Sequence, residues 1–132
     1  MSAIDTNVLV RFIVQDDSNQ AEAVERLRRR HAHHDVRLFV STTVILELEW
    51  VLRACFKFDK SQVLGAFVRI IESSELLIEN EEAIIHAVES YGESAADLAD
   101  CIHAHVAAAA GRSPLHTFDV KASKLDGAEL LR

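Results

Sequence analysis

The feature of this chain that most constrains its fold is the alternation of short strand-like runs with longer segments of helical periodicity. Leu38–Val40 and Leu76–Ile78 are apolar runs of three residues, and Leu115–Thr117 is a further strand candidate. Short apolar strands separated by helices are typical of a parallel sheet covered on both faces. We therefore predict an α/β fold: a three-layer α/β/α sandwich with a central parallel sheet of four or five strands and helices on both faces.

Capping residues mark the starts of the predicted helices. The tetrapeptides that begin at Asp17 and at Asp59 each have Gln three residues later, which is a capping-box pattern. Asn80 and Ser94 are suitable N-caps for two more helices. The predicted helices cover residues 17–32, 42–56, 59–73, 80–92, 94–111 and 121–125, and further strands are expected at 1–4 and 129–131.

The composition indicates a globular protein. Of the 132 residues, 49% are hydrophobic and 27% are charged, so we expect a packed core and a single domain over residues 1–132. No apolar run approaches the roughly 20 residues that span a bilayer, and residues 1–9 lack the features of a signal peptide. These observations predict a cytoplasmic protein without a membrane segment. We expect Cys55 and Cys101 to be free, buried thiols.

The net charge of −7 at first argues against a nucleic-acid substrate, because binding to phosphates normally needs a basic surface. The acids could instead be concentrated where metal ions neutralise them. Basic residues could also be gathered elsewhere, and Arg28, Arg29 and Arg30 form such a cluster. The total charge is therefore weak evidence against a nuclease.

Two acids stand directly after predicted strands. Asp5 follows the first strand and Asp119 follows the strand at Leu115–Thr117. In open parallel sheets, ligands bind outside the carboxyl ends of the strands, so these two carboxylates could converge on one crevice. Each also has an ordinary alternative, because Asp is common in turns and caps.

Glu47 is a third candidate, on the predicted helix 42–56. The helical pattern places it at the margin of an apolar face, where a carboxylate needs a partner or a metal. Glu49 falls on the opposite side, four residues before Arg53, and is expected to be an ordinary surface pair. The apolar face is predicted to consist of Val44, Leu48, Val51 and Cys55.

Asp97 and Asp100 are three residues apart on the predicted helix 94–111, so both can project from one side. Asp97 also suits an acidic capping box that begins at Ser94, which leaves Asp100 as the better ligand. Clustered carboxylates repel one another unless a cation lies between them. Mg²⁺ or Mn²⁺ prefers such oxygen ligands, and we expect one of these ions to bind the acids.

Other sites have little support in the sequence. It contains no dinucleotide-binding glycine motif, no phosphate-binding P-loop and no C-x-x-C pair. His31, His33 and His34 suit a solvated helix end better than a zinc site, because no further ligands complete the set. Trp50 lies off the predicted apolar face, and either a protein interface or cover by a neighbouring helix would explain it.

Four segments resemble the motifs of PIN domains, in the expected order and over nearly the whole chain. Residues 4–10, Ile-Asp-Thr-Asn-Val-Leu-Val, resemble the opening motif, and residues 44–48 resemble the segment around the second acid. Residues 97–102 resemble the third motif, and Thr-Phe-Asp at 117–119 resembles the fourth. Residues 39–53 further resemble the VapC branch of the family, the toxins of toxin–antitoxin pairs.

The resemblance implies an endoribonuclease that cleaves RNA with Mg²⁺ or Mn²⁺ and metal-activated water, forms a homodimer and is inhibited by a cognate antitoxin. It implies an acidic site of Asp5, Glu47, Asp100 and Asp119, all able to bind the metal, with Asp97 as a further candidate ligand. Thr6, Asn7 and Thr117 would position the metal site or a phosphate.

Three alternatives remain open. A phosphatase of the haloacid-dehalogenase type also has an acid after its first strand, but it requires Asp-x-Asp, and this chain has Asn7 at the second position. A catalytically silent PIN-fold binding module would work through its partner surface. A PIN nuclease outside toxin–antitoxin systems would share the chemistry and lack the antitoxin.

Overall fold

A computed structural model describes residues 2–32 and 37–132, so His33 and His34 lie outside the described residues. Residue contacts divide the chain into two compact units, one up to Glu79 and one from Asn80 onward. No helix in the described ranges is long and apolar enough to cross a membrane. The elements are β1 (Ser2–Ala3), α1 (Thr6–Val10), α2 (Ser18–Ala32), β2 (Leu38–Val40), α3 (Thr42–Cys55), α4 (Lys60–Glu72), β3 (Leu76–Ile78), α5 (Glu81–Glu93), α6 (Leu98–Ala109), β4 (Leu115–Thr117), a 3₁₀ helix (Ala122–Lys124) and β5 (Ala128–Leu130).

The first unit contains a three-stranded parallel sheet in the order β1-β2-β3. Leu38 of β2 pairs with Leu76 of β3, and Val40 pairs with Ile78. All four of these side chains are buried, as expected for strands covered on both faces. The sheet continues just beyond β1, because the N–H of Ile4 donates to the carbonyl of Phe39 at 3.0 Å.

The helices of the first unit begin where the capping patterns predict. Asp59 and Gln62 form a complete capping box at the start of α4, with side-chain-to-backbone distances of 2.8 and 2.9 Å. Asp17 accepts the N–H of Gln20 at 3.0 Å before α2, and Ser41 caps α3. Each cap satisfies backbone N–H groups that a helix leaves without partners, so these starts could be read from the sequence.

The second unit contains a two-stranded parallel sheet, β4-β5, and two helices, α5 and α6, which pack against each other. The N–H of Leu115 donates to the carbonyl of Gly127 at 2.7 Å, and the N–H of Leu131 donates to that of Thr117 at 2.8 Å. Gly127 has φ +79°, a conformation that favours glycine. Gly111, with φ +71°, follows the end of α6 as predicted.

The α/β class with parallel strands is confirmed, but the prediction of one central sheet of four or five strands is wrong. The five strands of the described residues form a sheet of three and a sheet of two. The strand count differs because β4 forms its hydrogen bonds with β5, the last strand, and these two strands make a sheet of their own.

Three local predictions also need correction. The sequence predicts a polar turn at Asp5, Thr6 and Asn7, but Thr6 starts a short helix, because Asp5 acts as its N-cap. Helix α6 begins at Leu98, not at Ser94, because the Ser94 hydroxyl accepts the N–H of Ala96 in a local turn. Neither cysteine forms a disulfide within the described part of the chain, but Cys55 is exposed instead of buried, and only Cys101 is buried as expected.

Candidate functional site

Asp5 stands between β1 and α1, at the carboxyl end of a parallel strand. Its Oδ1 accepts the N–H of Val8 at 3.0 Å and so caps α1. The residue is exposed, and its Oδ2 takes no part in this hydrogen bond. The turn-or-cap explanation and the functional one are therefore compatible, because the cap fixes the carboxylate while one oxygen stays accessible.

The two residues after Asp5 differ in their surroundings. Thr6 is 4% exposed, and its Oγ1 has no hydrogen-bond partner among the described residues. A buried hydroxyl without a partner costs about 1–3 kcal/mol, so this polar group next to Asp5 is left with an unused hydrogen-bonding capacity. Asn7 is exposed.

Glu47 lies on α3, which packs against α1, the helix that Asp5 caps. The buried face of α3 consists of Ile45, Leu48 and Leu52. The predicted face shares only Leu48 with it and was therefore rotated around the helix from the true one. At ~100° per residue Glu47 points away from this face, and it is exposed. The argument from a buried margin is wrong, although the position of Glu47 in the motif is unaffected.

Glu49, which was expected at the surface, has a side chain only 14% exposed. It does pair with Arg53 as predicted, with Nε of Arg53 2.8 Å from Oε1 of Glu49. The margin of the buried face is therefore occupied by Glu49, and its partner is an arginine.

Glu79 is an acid after a strand that the sequence reasoning missed. Its Oε1 accepts the backbone N–H of Thr42 at 2.9 Å, at the start of α3. This hydrogen bond lowers the pKa of the Glu79 carboxyl. Its position after β3 is a signal that a strand-end search would find, but its carboxylate is engaged in holding a helix terminus.

Asp97 occupies the N-cap position of α6, with an extended backbone, yet its side chain makes no capping hydrogen bond. The capping-box explanation for Asp97 is therefore wrong. The carboxylate is exposed instead.

Asp100 lies in the first turn of the same helix and is half-buried. Burial raises the pKa of its carboxyl, and the charges of Asp119 and Asp97 raise it further, whereas His103 acts in the opposite direction. The charges of Asp97 and Asp119 thus oppose the ionisation of Asp100. Such a cluster favours a bound cation.

Asp119 is fixed by hydrogen bonds on both sides. Its backbone N–H donates to Oγ1 of Thr117 at 3.0 Å, and its Oδ1 accepts the N–H of Ala122 at 2.9 Å, where the 3₁₀ helix begins. The hydroxyl of Thr117, expected to steady the site, therefore contacts the backbone of the acid itself.

An open pocket of about 300 Å³ lies beside these acids, lined by Asp97, Asp119, Val120 and Lys121. The sequence reasoning missed Val120 and Lys121. A lysine two residues beyond a strand-end acid is the signal that could have found the second of these. A pocket that combines two carboxylates with an ammonium group suits a ligand that carries both a cation and a phosphate.

The carboxylates of the second unit fit a hard divalent ion in donor chemistry, since all are oxygen ligands. Within residues 2–32 and 37–132, no group of three or more His, Cys, Asp or Glu side chains is arranged to hold a metal ion. Asp5 and Glu47 belong to the first unit, and Asp97, Asp100 and Asp119 belong to the second. A site of few carboxylates suits Mg²⁺, which keeps several of its waters.

The comparison with protein families decides the membership of the chain. The family model described as PIN domain matches residues 3–128. The chain belongs to the PIN domain family. Among curated proteins, this PIN domain is similar to the VapC ribonuclease of Aquifex aeolicus (strain VF5), with 23% identity over 125 residues that cover 95% of this chain and 92% of the relative. No solved structure matches the chain significantly.

Proposed function

We propose that this PIN domain is a Mg²⁺- or Mn²⁺-dependent endoribonuclease and the toxin of a VapBC-type toxin–antitoxin pair. The observation that carries the proposal is the pocket lined by Asp97, Asp119 and Lys121, together with half-buried Asp100, whose pKa is raised by burial and by the charges of those two acids. Membership of the family and the ribonuclease named in Aquifex aeolicus support the activity. We further propose a single cytoplasmic domain that works as a homodimer.

In this proposal Asp5 and Asp100 hold the metal directly or through water, and Glu47 and Asp119 complete the acidic site. The bound ion supplies a Lewis acid for the phosphate and for the attacking water. Asp97 is a further ligand candidate, because its carboxylate is not used in capping.

The chain's own residues then orient the reactants. Glu47 is exposed and can accept the proton of the attacking water at a carboxylate oxygen. Lys121 lines the pocket beside Asp119 and can donate to a phosphate oxygen. The hydroxyl of Thr117 keeps the backbone of Asp119 in place, while Thr6 and Asn7 adjoin Asp5 and are proposed to position the metal or the phosphate.

Inhibition by a cognate antitoxin has a direct physical form. The carboxylates of the second unit attract a cation, and a guanidinium group binds carboxylates in a bidentate manner. An antitoxin segment that places an Arg among them would displace the metal and block access of RNA to the acids.

The test compares purified wild type with Asp5→Asn and Asp100→Asn. Each substitution keeps the shape of the side chain and removes its charge, so RNA cleavage in Mg²⁺ should fall at least ~100-fold, a loss typical of a removed electrostatic contact to the transition state. Cleavage of total RNA is followed by sequencing the new RNA ends. EDTA should stop cleavage, and an excess of Mn²⁺ should restore it. Circular dichroism checks folding, and Glu49→Gln is the matched control. Undiminished cleavage by either Asp variant would reject the assignment.

A further inference from the structure

Three large apolar side chains are exposed together at the carboxyl ends of β4 and β5. Phe118 is 78% exposed, Val120 is 59% exposed and Leu131 is 46% exposed. Phe118 and Leu131 directly follow Thr117 and Leu130, which pair in the sheet. Half of the exposed large apolar residues found in the described part of the chain thus lie at or just beyond the ends of β4 and β5, where Asp119 also stands. Clustered exposure of this kind marks a contact surface, whereas isolated exposed residues need no explanation.

The backbone that carries Phe118 is held at both ends. On one side Thr117 belongs to β4 and accepts the N–H of Asp119. On the other side Oδ1 of Asp119 accepts the N–H of Ala122. An aromatic ring on a fixed backbone loses little conformational freedom when it binds a ligand, so it is a favourable binding group.

Phe118 also lies next to the groups proposed to act on phosphate. Its Cα is separated from that of Asp119 by one peptide unit, about 3.8 Å. Asp119 lines the pocket together with Lys121. A nucleotide whose phosphate occupied this pocket would therefore lie close to the backbone that carries the ring.

We propose that Phe118 is a substrate-binding residue that stacks on the unpaired nucleobase beside the cleaved phosphate. The inference rests on the proposed ribonuclease function and adds a contact that holds the base next to the cleaved phosphate. We take the occupant to be an RNA nucleotide, because Phe118 and Val120 are exposed next to Lys121, whose ammonium group attracts a phosphate. Base–aromatic stacking does not depend on base identity, since every base has a π face.

The experiment is a double-substitution cycle between the ring and the base. The RNA probe is a short single-stranded oligonucleotide that spans a cleavage site mapped with the wild type. Its abasic version lacks the base beside the cleaved phosphate. Phe118→Leu should lower kcat/KM for the intact oligonucleotide about 5- to 150-fold, the range that stacking of one base on an aromatic residue implies. The loss should lie in KM, because stacking is present before and during the reaction.

The decisive result is the behaviour of the abasic RNA. Wild type should lose with this RNA about as much kcat/KM as Phe118→Leu loses with intact RNA, and the variant should lose little more when the base is removed. A merely structural role of Phe118 would give losses that multiply. Phe118→Tyr and Phe118→Trp retain a ring and should restore cleavage.

Val68→Ala is the matched control, because Val68 is an exposed apolar residue of α4 in the first unit, with 47% exposure. It should leave kcat/KM unchanged, and Phe118→Leu should melt at the wild-type temperature. Normal cleavage of intact RNA by Phe118→Leu overturns the inference. This holds even if the variant loses binding to a protein partner, because the surface would then serve that partner instead of RNA. Absence of cleavage by wild type would instead reject the ribonuclease proposal.

Discussion

At the scale of single residues, Glu47 and Glu49 form a natural pair for comparison. They lie two positions apart on α3, Glu47 exposed and Glu49 ion-paired with Arg53. The proposed function uses only Glu47.

We expect Glu47→Gln to lower the rate of RNA cleavage at least ~10-fold, because a positioned proton acceptor contributes that much or more. The melting temperature should stay the same, since the side chain has no described partner to lose. Steady-state kinetics in Mg²⁺ and thermal denaturation give the two values.

Glu49→Gln should show the reverse. It weakens the pair with Arg53 and costs at most about 1 kcal/mol of stability, while cleavage stays at the wild-type rate. Equal losses of activity in both variants would mean that the two glutamates do not differ in role.

Several residues of the candidate site could be identified from the sequence alone. Positions after strands and matches to motifs nominate Asp5, Asp100 and Asp119 without any coordinates. The orientation of Glu47 was misjudged because α3 is apolar on more than one side, and only packing reveals that Ile45, Leu48 and Leu52 are the residues that turn inward. The sequence also did not predict that the Asp97 side chain makes no capping hydrogen bond. A local turn at Ser94 moves the start of the helix to Leu98, and this turn has no clear signal in the sequence.

At the scale of elements, Arg28 of α2 is tied to Glu75, the residue before β3. The guanidinium donates through Nε and Nη2 to the two carboxylate oxygens, at 2.7 and 2.6 Å. These hydrogen bonds lower the pKa of Glu75 from its ordinary value of 4.5 and raise that of Arg28. The pair joins a helix to a strand that lie far apart in the sequence.

The pair should make stability depend on pH in a defined direction. The pKa of Glu75 is lower in the folded protein than in the unfolded chain, so its contribution is fully present above about pH 4.5 and is lost as the pH falls through the folded value. Arg28 stays charged throughout this range.

Urea denaturation of wild type and Glu75→Gln gives the measurement. The difference in unfolding free energy should be at most about 1 kcal/mol at pH 7, because both side chains are about one-third exposed, and should vanish near pH 3. A difference that persists in acid would show that the substitution acts through packing instead of charge.

The elements themselves were predictable where a local signal fixes them. Capping residues located the starts of α2 and α4, and the apolar runs at β2 and β3 match the observed strands. The division of the strands into two sheets was not predictable, because strands of two or three residues carry too little pattern to specify their partners.

At the scale of the whole molecule, the proposed toxin has a cellular consequence. Expression of the wild type without a partner should arrest growth, because cleavage of RNA would stop protein synthesis. Asp100→Asn, produced at the same soluble level, should permit normal growth. Growth curves after induction, with immunoblots of the soluble fraction, make the comparison. Normal growth with soluble wild type would favour the catalytically silent binding module.

The unused N-cap of α6 has a consequence for engineering. A helix start is usually improved by Ser, Asn or Asp whose side chain accepts a backbone N–H, and here an Asp holds that position without doing so. A protein engineer who sought a more heat-resistant enzyme would choose Asp97 for replacement by Ser, which can cap the helix and lacks the charge that opposes ionisation of Asp100. The substitution would raise thermal stability but remove an acid that borders the pocket. Stability and catalytic turnover would therefore change in opposite directions at this position.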